Sequence, residues 1–203
     1  EKLKRSRELR ESGQWQPRAG FGPFRQMVDG AVVASANQTA ITGTTEAGLF
    51  PAAQYTGFAA NQLRAGQVWQ LSCFGIITTP SSSQGNITVT PRFGTTSAGT
   101  SLGASAATAL AASATNALWN LSMWFIVRTV GLAGANSKAI AGGQLNASVA
   151  MIAASTGQPV LFGSTAEVSV DLSIAAGLYI GITMGSASDS MTCLSHPILE
   201  SLN

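Results

Sequence analysis

The side chains of this chain that could do chemistry are few and widely spaced. Gly99-Thr100-Ser101-Leu102-Gly103 fits Gly-x-Ser-x-Gly, in which a strained strand-to-helix turn exposes a serine nucleophile. His196 is the one histidine, and Asp171 and Asp189 fall between it and Ser101, in the chain order of an α/β-hydrolase triad. The match is cheap, however, in a segment made of Gly, Ser, Thr and Ala, and no strand–helix alternation surrounds it. His196, just ahead of Pro197, reads more simply as a strand-end or interface residue. With one His, two distant cysteines and scattered carboxylates, no metal-ligand spacing emerges. Glu167 and Asp171 share one face of a strand pattern, but as solvated groups rather than a glycosidase pair. Gly20-Phe21-Gly22 does not extend to a dinucleotide fingerprint. The expectation is a protein that is not an enzyme, with no catalytic residue, metal or cofactor.

The charge distribution is more informative. Seven of the eleven Lys and Arg residues lie in the first twenty-five positions: Lys2, Lys4, Arg5, Arg7, Arg10, Arg18 and Arg25. Against Glu1, Glu8 and Glu11 they leave residues 1–25 at a net +4, while the rest of the chain stands at −2. Charged residues make up only 10% of the whole, against roughly 25% in an ordinary soluble protein. A body so poor in charge must cover itself with Ser, Thr, Asn, Gln and Gly, or bury surface against neighbours. Both are habits of assembled shells and fibres.

Residues 2–11, KLKRSRELRE, are good helix formers that Gly13 would end, yet too short to be stable alone. They read as a short helix that orders on docking. In residues 14–24, QWQPRAGFGPF, Gly and Pro exclude regular structure, which leaves Trp15, Phe21 and Phe24 as anchors seeking pockets. Arg and Lys interleaved with aromatics would also suit nucleic acid, but Glu8 and Glu11 inside the run argue against a nucleic-acid partner. Residues 1–40 are therefore expected to be a docking arm and linker. Basic residues here have no apolar run behind them, so no secretory signal is expected, and no stretch is long enough for a membrane helix.

Beyond residue 40 the apolar period becomes two. Trp69, Leu71, Cys73 and Ile77 share a face, as do Ile87, Val89 and Phe93. In residues 118–130, Trp119, Leu121, Met123, Phe125 and Val127 oppose Asn120, Ser122, Trp124 and Arg128. Val168, Val170, Leu172 and Ile174 alternate, then Leu178, Ile180, Ile182 and Met184, and residues 191–202 supply a last strand. The Ala/Ser/Thr/Gly stretch 97–117 is expected to be a long loop with one helical turn. Cys73 and Cys193 sit in apolar surroundings and read as buried thiols rather than a bridge. Residues 41–203 are thus expected to form an all-β, two-sheet antiparallel sandwich.

Two segments carry a resemblance: LRAGQVWQLSCFGIITT (63–79) and LWNLSMWFIVRTVGLAG (118–134). With a final strand ending in Leu-Glu-x-Leu, they resemble the jelly-roll virion proteins of tailed bacteriophages: capsid cement or decoration proteins, head fibres and tail-associated proteins. The resemblance covers residues 41–203 and implies an eight-stranded jelly roll, commonly a homotrimer. It brings no active site to transfer. On that basis the chain is expected to be a cement protein on the capsid surface of a virion, made in the host cytoplasm. Its partner would be the major capsid protein, or a tail protein. Lys2, Lys4, Arg5, Arg7, Arg10, Trp15, Arg18, Phe21, Phe24 and Arg25 would do the docking, and Trp124 and Tyr179 would be trimer-interface aromatics. Rival expectations are a tail or neck fibre component, a receptor- or glycan-binding module using exposed aromatics, and a small coat protein whose arm binds genome.

Overall fold

A computed structural model describes residues 39–51, 57–148, 152, 159–195 and 197–202. The strands among them are β1 (Ile41–Thr42), β2 (Ala47–Gly48), β3 (Gly57–Phe58), β4 (Val68–Thr78), β5 (Asn86–Phe93), β6 (Thr100–Ser101) and β7 (Thr108–Ala109). They continue with β8 (Ala117–Thr129), β9 (Ser137–Ala147), β10 (Val160–Gly163), β11 (Val168–Val170), β12 (Ala176–Met184), β13 (Ser190–Cys193) and β14 (Ile198–Ser201). No helix occurs among the described residues. The helix expected over residues 2–11 lies outside them.

The strands form two antiparallel sheets. The first runs β1-β13-β4-β8-β9-β10, with β14 also on β4 and β11 also on β9. The second runs β2-β12-β5-β6, with β3 on β12 and β7 on β5. Period-two patterning determines which side of each strand faces in. Trp69, Leu71, Cys73 and Ile77 of β4 are buried, as are Trp119, Leu121, Met123, Phe125 and Val127 of β8. Ile87, Val89 and Phe93 of β5 and Leu178, Ile180, Ile182 and Met184 of β12 meet them from the second sheet. Aromatic rings join the two layers. Phe93 stacks on Phe125 at 5.5 Å between centroids, and Phe58 meets Trp69 edge-on at 5.1 Å. Such pairs add about 0.5–1.5 kcal/mol to the burial of the rings themselves.

One glycine fixes how closely two strands approach. At Gly75 of β4 a methyl group would run into the Thr192 carbonyl and the Trp119 indole, so the indole can come this close only because no side chain stands there.

Two expectations are corrected. Residues 97–117 contain no helical turn. They run beside β5 as an edge, through β6, β7 and the bonds Leu102 N–H to Pro91 O and Ser105 N–H to Val89 O. Leu102 and Leu110, both fully buried, pin an otherwise Ala/Ser/Thr segment to the core. The strand expected over 168–174 stops at Val170. There the Asp171 carboxylate accepts from Ser173 N–H at 2.9 Å, turning the chain and leaving Ile174 57% exposed.

Candidate interaction face

Of the groups that could have formed a hydrolytic centre, those among the described residues are engaged locally. The Ser101 hydroxyl accepts from Gly103 N–H, and Asp171 is held by Ser173, which lowers its carboxyl pKa through hydrogen bonding. Asp189 is fully buried, with one oxygen accepting from Gly85 N–H at 2.8 Å. Glu167 pairs with Arg128 at 3.3 Å, both about half exposed. His196 lies outside the described residues. Cys73 and Cys193 are free and buried on the neighbouring strands β4 and β13; burial pushes the Cys73 thiol well up. No group of three metal-binding side chains occurs among the described residues.

The outward face of the first sheet is different in kind. The alternation that aims Trp119 and Phe125 inward aims Leu118, Asn120, Ser122 and Trp124 outward. Register sets their neighbours. Ile76 lies opposite Leu118, Phe74 opposite Asn120, Ser72 opposite Ser122 and Gln70 opposite Trp124. On the other flank Asn146 lies opposite Asn120, Gln144 opposite Ser122 and Gly142 opposite Trp124. Ile198 of β14 and Leu161 of β10 extend the row through Ser72 and Gln144 to both sides. The amides pair within the face: Asn146 donates to Asn120 at 3.1 Å, and Gln70 donates to Ser122 at 3.4 Å.

Five of the nine exposed large apolar residues among those described stand on this face: Phe74, Leu118, Trp124, Leu161 and Ile198. The charged groups Arg128, Lys138 and Glu167 gather at one end, and Glu200 of the edge strand β14 stands on the same side as Ile198, opposite Gln70. Between them no outward position on β4, β8 or β9 is charged from Gln70 to Ile76, Leu118 to Trp124 or Gly142 to Asn146. A contiguous face of apolar and amide groups without charge is the mark of an interaction surface.

Of the two aromatics expected at an interface, Trp124 is on this face and 39% exposed. Tyr179 is on the other sheet and only 6% exposed, opposite Arg92 on β5. The structure does not bring the two together: Trp124 stands on the first sheet and Tyr179 is buried on the second. Arg92 Nε and Nη2 donate to both oxygens of Glu46, at 2.8 and 2.7 Å, and Nη1 donates to Gly99 O. The carboxylate lies over Gly181, where a side chain would displace it. Burial, and then the Glu46 charge, raises the Tyr179 pKa, while the Glu46 hydrogen bonds raise that of Arg92. This cluster ties the segment before β2 onto the second sheet.

The arm residues Lys2, Lys4, Arg5, Arg7, Arg10, Trp15, Arg18, Phe21, Phe24 and Arg25 lie outside the described residues. Phe74, Leu118, Leu161 and Ile198 were not singled out in sequence. For Phe74 and Leu118 the signal was available, since each is a large apolar residue at an outward position of an amphipathic strand. Leu161 and Ile198 belong to strands too short to show a period. Compared with known proteins, the chain matches no family model, no curated protein and no solved structure.

Proposed function

We propose that this chain is a structural virion protein, a cement or decoration protein that stands on a capsid as a homotrimer and grips it through its basic N-terminal arm. The observation that carries the reading is the uncharged, apolar-studded face of the first sheet, on a body whose charge is already low. Such a surface suits contact with other protein far better than turnover of a substrate.

Strand pairing supports a jelly roll as the body. Taking β1, β2, β4, β5, β6, β8, β12 and β13 as successive strands, first pairs with eighth, second with seventh, third with sixth and fourth with fifth. Those pairs are the rungs of one long antiparallel hairpin, and rolling that hairpin into two layers makes a jelly roll. In this reading β9, β10 and β11 widen the first sheet beyond its sixth strand.

In the mechanism, closed symmetry repeats one set of contacts without open-ended growth. Three arms bind as one unit, so modest affinity for each becomes firm attachment through effective concentration. Arg and Lys would oppose an acidic capsid surface, while Trp15, Phe21 and Phe24 supply desolvated anchors. Imaging virions that carry a tagged copy tests the assignment. Hundreds of copies over the shell support it, whereas a few copies at the neck or tail would make the chain a fibre component. Removing residues 1–25 should abolish binding to shells, and normal decoration by the truncated chain would refute the arm's role. The glycan-binding rival, resting on exposed Trp124, would require hits on a glycan array.

A further inference from the structure

We propose that the outward face of the first sheet is where copies of this chain associate with one another, with Trp124, Phe74 and Leu118 buried at the contact. This rests on the self-association in the reading above and not on the capsid part; a face that meets its own copy gives a twofold pair, whereas a trimer needs it to meet a different patch of its neighbour.

Three observations favour a second copy as the occupant. The first is charge. On β4, β8 and β9 the central positions of the face carry no charged side chain, and Glu200 stands only at the β14 rim, opposite Gln70, so one copy can meet another across the centre without like-charge repulsion or unpaired buried ions. The charges of a basic arm or of an acidic partner would gain nothing there. The second is area. From β14 to β10 the face is five strand positions wide, and β4 and β9 are 11 residues long. At ~4.8 Å between strands and ~3.3 Å per residue that is roughly 800 Å² of face, about what one partner contributes to a stable interface. The third is chemistry. Asn120, Ser122, Gln144 and Asn146 carry both donors and acceptors, so the face can hydrogen-bond to itself, as a face of carboxylates or ammonium groups could not.

The apolar groups are distributed to match. Leu118 and Phe74 lie toward one end of the rows and Trp124 toward the other, with amides between them. Aromatic and aliphatic anchors around amides that stay paired are the composition of an interface centre.

The test uses the full chain at several concentrations, with mass measured by light scattering and sedimentation. The unaltered chain should exceed monomer mass. Leu118→Glu and Asn120→Arg should each weaken association by at least ~100-fold, since each buries an unpaired charge. Asn120 is exposed and gives up no core packing, so Asn120→Arg should retain the native β-sheet spectrum. Ile174→Glu, on an exposed apolar residue away from the face, should leave the mass unchanged. A photo-crosslinking residue at position 120, in a mixture of light and heavy chains, should join copies face to face. A monomeric unaltered chain overturns the proposal, as does normal mass in both charged variants. A link within one chain to residues 1–38 would also overturn it, by making the arm the cover. A dimer in place of a trimer would leave this face intact and refute the trimeric part of the proposed function.

Discussion

Trp119 and Trp124 lie five positions apart on β8, and the pleat sends them to opposite sides of the sheet. Trp119 is 2% exposed and rests on Gly75, whereas Trp124 is 39% exposed between Gln70 and Gly142. Replacing each with Ala should therefore give very different losses. At Trp119 the whole indole leaves a packed interior, and a large aromatic removed from a core costs ~3–5 kcal/mol. At Trp124 only cross-strand contacts are lost, at about 0.2–1 kcal/mol each. In a chain of this length ~1 kcal/mol moves the midpoint by roughly 2–4 °C, so Trp119→Ala should lower it by roughly 6–20 °C. Trp124→Ala should lower it by a few degrees. Trp119→Phe should cost much less than Trp119→Ala, because it keeps a ring and removes an indole N–H that has no partner. Thermal and urea unfolding should be followed by circular dichroism at two or more protein concentrations, since association adds stability by mass action. Equal losses at the two tryptophans at the lowest concentration would refute the reasoning. A one-residue slip of β8 would exchange their sides and reverse the order of the two losses, which would refute it as well.

Further outcomes follow from other parts of the structure. Gly75→Ala should destabilise by ~1–3 kcal/mol, read from the urea midpoint, because the added methyl meets the Thr192 carbonyl and the Trp119 ring. Cys73 and Cys193 should resist a thiol reagent in the folded chain and react together once urea unfolds it; fast reaction in buffer would contradict their burial. Glu46→Gln should let Tyr179 ionise at lower pH, since it removes a negative charge that opposes phenolate formation, and ultraviolet titration reads this directly. Trp15→Ala should weaken shell binding by ~2 kcal/mol and any single arm Lys→Ala by under ~1 kcal/mol. Equal losses would indicate a purely electrostatic contact with a steep salt dependence.

Much of the β framework was legible because long strands with one buried side write their period into the sequence. In β4, β5, β8 and β12 every apolar residue assigned inward is buried. Legibility failed where strands are short. β6 and β7 are two residues each, held by their bonds to β5, and no window of Ala, Ser and Thr could announce them. Ile174 continued an alternation that Asp171 interrupts by capturing Ser173 N–H, a local bond that the apolar period does not register. Of the candidate face, Trp124 was readable from β8 alone.

Which residues turn inward on a strand is a local matter, decided by pleat and hydropathy, and the amino-acid order was sufficient for it. Which strands lie side by side is not local. The sequence could say that Phe74 and Leu118 stand outward, but only pairing of β4 with β8, of β8 with β9 and of β4 with β14 assembles them with Asn120 and Ile198 into one surface. Tyr179 shows the same division from the other side. Its outward position on β12 was implicit in the alternation, whereas its burial beside Glu46 and Arg92 depends on residues far apart in the chain meeting on the second sheet.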